Sequence, residues 1–138
     1  RFSARLVSGD NTGIRALYKA LERGEMVAIL PDQVPSSRSG SVFAPFFGIP
    51  ASTMVLLSRL ALKTGAPVVF GCAERLPNGR GYHLHFLPAP SAIGRGSIES
   101  SVSEVNSMVE QCARAIPEQY QWIYKRFRVR PAGEQAFY

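Results

Sequence analysis

Two short runs of continuously apolar residues constrain the fold more than any other feature of the chain. Residues 26–30 read MVAIL and residues 67–73 read PVVFGCA. An unbroken apolar run of this length is typical of a β-strand that is covered on both faces, as in a parallel sheet. A helical pattern over residues 53–63 lies between the two runs, and Gly65 ends it. Its predicted buried stripe consists of Met54, Leu57, Leu60 and Ala61. Strand, helix and strand in this order predict a βαβ unit with a right-handed crossover.

The rest of the chain predicts further helices and one hairpin. Residues 10–24 follow a helical pattern between a polar cap region and a glycine. Asn78-Gly79 predicts the tight turn of a β-hairpin, and apolar residues that step by three and four from Ile98 to Ile116 predict an amphipathic helix. A short strand over residues 4–7 and a last helix over 118–127 complete the pattern. The predicted fold class is α/β, with a mixed, largely parallel central sheet flanked by helices, in one domain over residues 1–138.

The charge of the chain restricts its partners more than its fold. The 138 residues carry a net charge of +6 at a pI near 9.8. Such an excess of positive charge favours acidic partners, namely nucleic acid, an anionic lipid surface or an acidic carrier protein. No apolar run approaches the roughly 20 residues that span a bilayer. Cys72 and Cys112 lie in apolar patterns and are predicted to be buried thiols without a disulfide.

The segment between the two apolar runs is the leading candidate for a functional site. It covers residues 31–51 without periodicity, whereas connections in such units usually have about 2–6 residues. Ligands of open α/β sheets gather beyond the carboxyl ends of strands, and Asp32 lies two residues past the first run. Asp32 is interpreted as holding an arginine in place, as accepting from a substrate hydroxyl, or as capping a turn. Arg38 is interpreted as a bidentate ligand of a phosphate or carboxylate, or as a solvated loop charge.

Three phenylalanines, Phe43, Phe46 and Phe47, lie near the end of this segment. The simplest interpretation is that they fold the loop back onto the core. The alternative is that they form the wall of a slot for an acyl chain. Gly48 is predicted to permit a turn.

Neither of the two histidines suggests a reactive centre. His83 and His85 share one face of a predicted strand, but a metal site needs a third ligand and the nearby sequence offers no Cys, Asp or Glu cluster. No metal is therefore predicted. A histidine that acts as a base and is followed, after four intervening residues, by an acid is also not found, because Pro88 and Pro90 stand at those positions.

Aromatic and basic residues alternate near the end of the chain, in residues 118–134, which we call the C-terminal segment. The residues concerned are Tyr120, Trp122, Tyr124 and Phe127 together with Lys125, Arg126, Arg128 and Arg130. Single-stranded nucleic acid, a membrane interface or a phosphorylated lipid would each suit this composition. The other interpretation is a terminal helix that packs its rings on the sheet and points its charges outward.

Four stretches taken together resemble the later part of the lipid A biosynthesis acyltransferases, which are lauroyl and myristoyl transferases of the wider glycerolipid acyltransferase superfamily. The stretches are ALERGEMVAILPDQ, SVFAPFFGIPAST, LALKTGAPVVF and IPEQYQWIYKRFRVRPAGE, in the family's order and spacing. The resemblance implies an enzyme at the cytoplasmic face of the bacterial inner membrane. It implies transfer of a fatty acyl group from acyl carrier protein to a hydroxyl of a lipid A precursor, with no cofactor besides that donor and no nucleic-acid partner.

The resemblance also assigns roles to single residues. Asp32 stands where the superfamily's third motif has its acid, in a supporting role, and Arg38 is the natural partner of a lipid A phosphate. Arg1 falls near the arginine of the second motif. The other substrate-binding residues implied are Phe46, Phe47 and Gly48 of the PFFG signature, and Arg126 and Arg128 of the basic ending, where Lys125 replaces the more usual first arginine.

In the family, a membrane anchor and the catalytic histidine, which is followed by an acid after four intervening residues, both precede the region that this chain resembles. The chain is therefore interpreted as the C-terminal part of such an enzyme, without turnover of its own. Two alternatives stay open. One is a basic binding module for nucleic acid or anionic lipid, and the other is a catalytically dead relative that retains lipid binding.

Overall fold

Two β-hairpins and three α-helices make up the regular structure of the computed structural model, which describes residues 4–35 and 38–138, excluding the side chain of Arg38. The elements are α1 (Asn11–Glu22), β1 (Ser41–Phe46), β2 (Ile49–Met54), α2 (Leu56–Thr64), β3 (Val69–Arg75), β4 (Tyr82–Pro88) and α3 (Ile98–Ala115). Strands β1 and β2 pair antiparallel, as do β3 and β4. The α/β class is confirmed in this mixed form, with small antiparallel sheets.

Several local predictions are confirmed because short-range chemistry specifies them. The Asp10 carboxylate caps α1 by accepting from the backbone N–H groups of Thr12 and Gly13, both at 2.9 Å. Helix α3 begins at a Ser97 cap and buries one face. Helix α2 ends at Gly65, whose φ of 67° is the left-handed conformation that glycine adopts without strain.

The predicted parallel sheet is not found among the described residues. Residues 26–30 form no strand, and Met26 and Leu30 are 93% and 66% exposed. A strand buried on both faces needs neighbours on both sides, and each sheet in the described ranges has only two strands. The second apolar run does form a strand, but β3 covers Val69–Arg75, pairs antiparallel with β4, and exposes every second residue. The βαβ unit is therefore wrong for this structure, and residues 4–7 form no strand either.

The segment predicted to be a long loop contains the first hairpin. Strands β1 and β2 join through the two residues Phe47 and Gly48. Helix α2 therefore begins at Leu56 rather than at residue 53, because Thr53 and Met54 are paired with β1. The helix predicted over 118–127 is reduced to a 3-10 turn at Pro117–Gln119 followed by irregular turns.

The core forms where α3 packs against β1, β2 and β3. Its main cluster of buried side chains consists of Phe46, Ala51, Ala61, Phe70, Ile93, Val105, Met108 and Val109. The confirmed helix α3 thus carries three of these residues and positions the first hairpin beside it. None of the helices in the described ranges has the length and apolarity to cross a membrane.

Candidate functional site

Asp32 lies in the loop between α1 and β1, where the C-terminal segment contacts both Asp32 and Val34. The Tyr120 hydroxyl donates to Asp32 Oδ2 at 3.2 Å. Two residues further on, the Val34 N–H donates to Tyr124 Oη at 2.8 Å, and Arg128 Nη2 donates to the Val34 carbonyl at 3.2 Å. The C-terminal segment therefore sets the position of this loop, which we call the Asp32 loop (residues 31–35).

In the hydrogen bond between Tyr120 and Asp32, the phenol is always the donor and the carboxylate the acceptor. Burial, and then the negative charge of Asp32, raise the pKa of Tyr120 well above its usual value. The phenol therefore stays protonated at every physiological pH and donates to the carboxylate. A carboxylate held in this way is suited to orient a cationic group or to accept from a substrate hydroxyl, the two functional roles predicted for Asp32.

Arg126 is inside the protein, with only 3% of its surface exposed. Its Nη1 donates to the Ser52 carbonyl at 2.7 Å, and its Nη2 donates to Thr53 Oγ1 at 2.8 Å and Asn106 Oδ1 at 3.3 Å. The guanidinium also lies 5.4 Å from the centre of the Phe46 ring. The interpretation that the C-terminal segment points its charges outward is wrong for Arg126, which joins β2 to α3.

Burial lowers the pKa of Arg126, while the nearby Tyr120 and Asp32 act in the opposite direction. No carboxylate of the described residues forms an ion pair with it. Its positive charge is instead stabilised by carbonyl and hydroxyl oxygens and by the Phe46 ring. The same network includes Asn106 Nδ2, which donates to the Pro45 carbonyl at 2.9 Å and to Thr53 Oγ1 at 3.0 Å.

The PFFG signature forms the end of the first hairpin. Phe46 is 2% exposed and belongs to the core, so the prediction that it folds this segment onto the core is confirmed, whereas Phe43 is partly exposed. Gly48 has a φ of 77°, which confirms the predicted turn. Phe47 is half-buried and has a φ of 49°, which is unusual for a bulky residue.

Four contacts hold Phe47 in this conformation. Its N–H donates to Glu110 Oε1 at 2.7 Å, and the Arg114 guanidinium lies 4.8 Å from its ring centroid. The ring also packs edge-on against Phe46, with centroids 4.8 Å apart, and beside Trp122, with centroids 5.7 Å apart. Helix α3 supplies both charged residues, so this turn depends on tertiary contacts.

The remaining predicted site residues are distributed differently. Arg128 is exposed to solvent, although it donates a hydrogen bond to the Val34 carbonyl. Its guanidinium lies 5.8 Å from the centre of the Tyr124 ring. Arg1 and the side chain of Arg38 lie outside the described residues.

An open groove of about 800 Å³ lies at the tip of the second hairpin, lined by residues that include Glu74, Tyr82 and Gln119 but not Asp32.

Sequence reasoning missed one acid. Glu74 lies directly opposite His83 in the β3–β4 pairing, within reach of both histidines, so the statement that no third ligand is near them is wrong. The predicted Asn-Gly hairpin is the signal that could have found it, because the hairpin register places residue 74 beside residue 83.

The cysteines are free and half-buried rather than fully buried. Burial, with a further contribution from the neighbouring Cys72 thiol, raises the pKa of Cys112 to about 11. This thiol is therefore protonated at neutral pH and is a poor nucleophile.

Comparison with known proteins agrees with the resemblance of the motifs. The family model "Bacterial lipid A biosynthesis acyltransferase" matches residues 1–129. The chain is 36% identical to the lipid A biosynthesis lauroyltransferase of Escherichia coli (strain K12), over 94% of the chain and 42% of that relative. It is 35% identical both to the palmitoleoyltransferase of the same organism and to a lipid A biosynthesis acyltransferase of Shigella flexneri, over 99% of the chain and 44% of each relative. The chain thus spans less than half the length of these relatives, and it belongs to the bacterial lipid A biosynthesis acyltransferase family.

Proposed function

We propose that the full-length protein transfers a fatty acyl group from acyl carrier protein to a hydroxyl group of a lipid A precursor, at the cytoplasmic face of the bacterial inner membrane. The family match over residues 1–129 carries this proposal. The relatives' names, lauroyltransferase and palmitoleoyltransferase, support the acyl group as the part that is transferred. The acceptor hydroxyl attacks the thioester of the acyl carrier donor, and the carrier's thiol leaves as the C–S bond breaks. This exchange needs neither a metal nor a redox group, so no cofactor is proposed for the reaction.

Asp32 is proposed to orient a group at the acceptor side of the reaction. A half-buried carboxylate that is fixed by a neutral donor can hold an arginine or a substrate hydroxyl in one position, which lowers the entropic cost of the reaction. The proton of the attacking hydroxyl must be taken by a base. Neither His83 nor His85 is followed, after four intervening residues, by an acid, so we propose that the base lies outside residues 1–138 and expect no turnover from this chain alone.

The positive residues are proposed to serve two different purposes. Arg38 and the exposed Arg128 are suited to phosphate groups of the acceptor, since a guanidinium binds phosphate through two parallel hydrogen bonds. Arg126 already donates to Ser52, Thr53 and Asn106. Its contribution to substrate binding is therefore proposed to be indirect, through the position of β2 and of the PFFG turn.

The net charge of +6 suits both an acidic carrier protein and a phosphorylated glycolipid. In the C-terminal segment, Trp122 and Ile123 are 55% and 87% exposed, which suits contact with a membrane surface, where indole and aliphatic side chains partition. Tyr120, Tyr124 and Phe127 contact the protein itself, and the Trp122 ring also packs beside Phe47 and Tyr120. Fewer rings are thus available for stacking on bases than a nucleic-acid module would need.

Substitution of Asp32 tests the proposal. In the full-length protein, Asp32→Ala should lower carrier-dependent acyl transfer by about tenfold or more, as expected when a positioning group is lost. Asp10→Asn is the matched control, because Asp10 is the chain's other aspartate and lies on the surface, where it caps α1. Asparagine caps a helix as well as aspartate does, so this substitution should leave the fold and the activity unchanged. Activity of Asp32→Ala close to that of the unaltered protein would show that Asp32 is only a turn residue.

A second variant separates binding from turnover. Arg38→Ala should raise the Michaelis constant for the lipid acceptor more than it lowers the turnover number, because it removes a phosphate ligand that is used before and during the reaction. The Michaelis constant for the acyl carrier donor serves as the internal control and should change little. An unchanged acceptor constant would exclude the phosphate role.

A further inference from the structure

The second hairpin brings three metal-binding side chains together. In the β3–β4 register Glu74 is opposite His83, and Cys72 is opposite His85. Side chains two residues apart on one strand point to the same face, so Glu74, His83 and His85 share one face of this hairpin. They include both histidines of the 138-residue chain.

The distances between the ligand atoms match a single small ion. Glu74 Oε2 lies 3.0 Å from His85 Nε2 and 3.8 Å from His83 Nδ1, and the three ligand atoms lie within 4.8 Å of one another. A tetrahedral Zn²⁺ ion binds nitrogen and oxygen at about 2.0–2.2 Å, which places neighbouring ligand atoms about 3.3–3.6 Å apart. The two Glu–His distances bracket this range and the two imidazole nitrogens are no more than 4.8 Å apart, so closing the site needs only rotations of the side chains.

The choice of metal follows from the ligands. Two imidazoles and one carboxylate form a set that Zn²⁺ accepts, whereas Ca²⁺ and Mg²⁺ prefer oxygen ligands alone. His83 is exposed, while Glu74 and His85 are each about one-third exposed. Water therefore has access to the outer side of the cluster and can supply a fourth ligand.

We propose that Glu74, His83 and His85 form a Zn²⁺ site that fastens β3 to β4. The site lies on a different hairpin from the PFFG turn and includes none of the residues proposed for acyl transfer, so it is independent of the proposed function. Zinc bound there stabilises the folded chain, because it binds the assembled hairpin and finds no such set of ligands in the unfolded state.

Zinc binding to the 138-residue chain, purified without a histidine tag, tests the site. Calorimetry should show one Zn²⁺ per chain, and thermal unfolding should move to higher temperature when zinc is added. Loss of residues that merely support metal ligands weakens binding by about 10–100-fold. We therefore expect Glu74→Gln, His83→Gln and His85→Gln each to weaken zinc binding at least tenfold.

Two control variants define the ligands. Glu118→Gln removes a carboxylate that lines the same groove as Glu74 but lies outside the cluster, and it should bind zinc like the unaltered chain. The Cys72→Ser, Cys112→Ser double variant should also retain zinc. Binding that survives the histidine substitutions but is lost in the cysteine variant would overturn the proposal, as would the absence of binding at micromolar zinc.

A measurement on the unaltered chain removes any dependence on how the variants fold. The sequence has two histidines, so the ¹⁵N NMR spectrum of the imidazoles contains signals from two rings. Zinc should bind Nδ1 of His83 and Nε2 of His85, which leaves the proton on Nε2 of His83 and on Nδ1 of His85. Imidazole signals that stay unchanged at saturating zinc would exclude the site.

Discussion

The two hairpins have the same kind of turn and opposite surroundings. Both central residues of each turn have positive φ, with values of 49° and 77° at Phe47-Gly48 and 58° and 69° at Asn78-Gly79. The first hairpin is covered by α3 and the C-terminal segment, whereas the second exposes an apolar face. That face includes Val69, Tyr82, Leu84 and Phe86. The same backbone geometry is therefore specified by tertiary contacts in the first hairpin and by local residue chemistry in the second.

The largest expected difference between the hairpins concerns their phenylalanines. Phe46→Ala should lower the free energy of unfolding by about 3–5 kcal/mol, because the ring is fully buried and leaves a cavity. Phe86→Ala is the matched control on β4, where the ring is 68% exposed, and should change the free energy of unfolding by about 0.5 kcal/mol or less. Urea unfolding of the chain measures both. Equal effects would mean that the exposed face of the second hairpin is covered in solution.

The next effect concerns the buried arginine that joins β2 to α3. Arg126→Ala removes a charged donor from three acceptors, and hydrogen bonds to charged groups contribute about 1.5–3 kcal/mol each without adding fully. We expect a loss of about 2–4 kcal/mol in the free energy of unfolding. Arg95→Ala, at an exposed position before α3, removes the same charge and should cost about 0.5 kcal/mol or less. A cost for Arg126→Ala no larger than that of Arg95→Ala would show that the network is not formed.

Exchanging the first turn residues tests the comparison directly. Asn78→Phe should destabilise the second hairpin by about 1–2 kcal/mol, because a bulky residue there adopts positive φ without compensating contacts. Phe47→Asn should also destabilise the chain, by about 1–2 kcal/mol, since it relieves strain but removes ring contacts that contribute about 0.5–1.5 kcal/mol each. Both are measured by equilibrium unfolding. A stabilising Phe47→Asn would mean that local preference outweighs the contacts with α3.

This contrast explains how much of the fold could be predicted from the sequence. Asn78-Gly79, the Asp10 cap and the periodicity of α3 are local signals, and all three were sufficient. At Phe47-Gly48 the glycine is the one local signal, because the first turn residue disfavours positive φ and is held by Glu110, 63 positions away. The pattern of residues 26–30 gives a different error. A continuous apolar run predicts a strand that is covered on both faces, and no element of the described residues covers residues 26–30 in this way.

The candidate site shows the same division between local and tertiary information. The position after an apolar run and the family motif identify Asp32, but its partner Tyr120 lies 88 positions away and has no pattern in common with it. Composition alone predicts a surface charge at Arg126. Its burial depends on acceptors from β2 and α3, which only the assembled fold brings together.

The smallest predicted effect concerns the bond between Tyr120 and Asp32. Tyr120→Phe should lower the free energy of unfolding by about 1 kcal/mol, the usual contribution of one hydrogen bond. The pKa of Tyr120 is raised in the folded chain above the value of about 10 that an unfolded phenol has. Its stabilisation is therefore complete below pH 10 and is lost as the pH rises above 10, towards the folded pKa.

The alkaline part of the stability curve isolates this contribution. The unaltered chain should lose stability above pH 10 more steeply than Tyr120→Phe does, and Tyr82→Phe, at an exposed phenol of the second hairpin, should follow the unaltered chain. Parallel curves for all three proteins would contradict the bond. If Tyr120 does hold Asp32, the same substitution in the full-length protein should lower acyl transfer less than Asp32→Ala, because it frees the carboxylate without removing it.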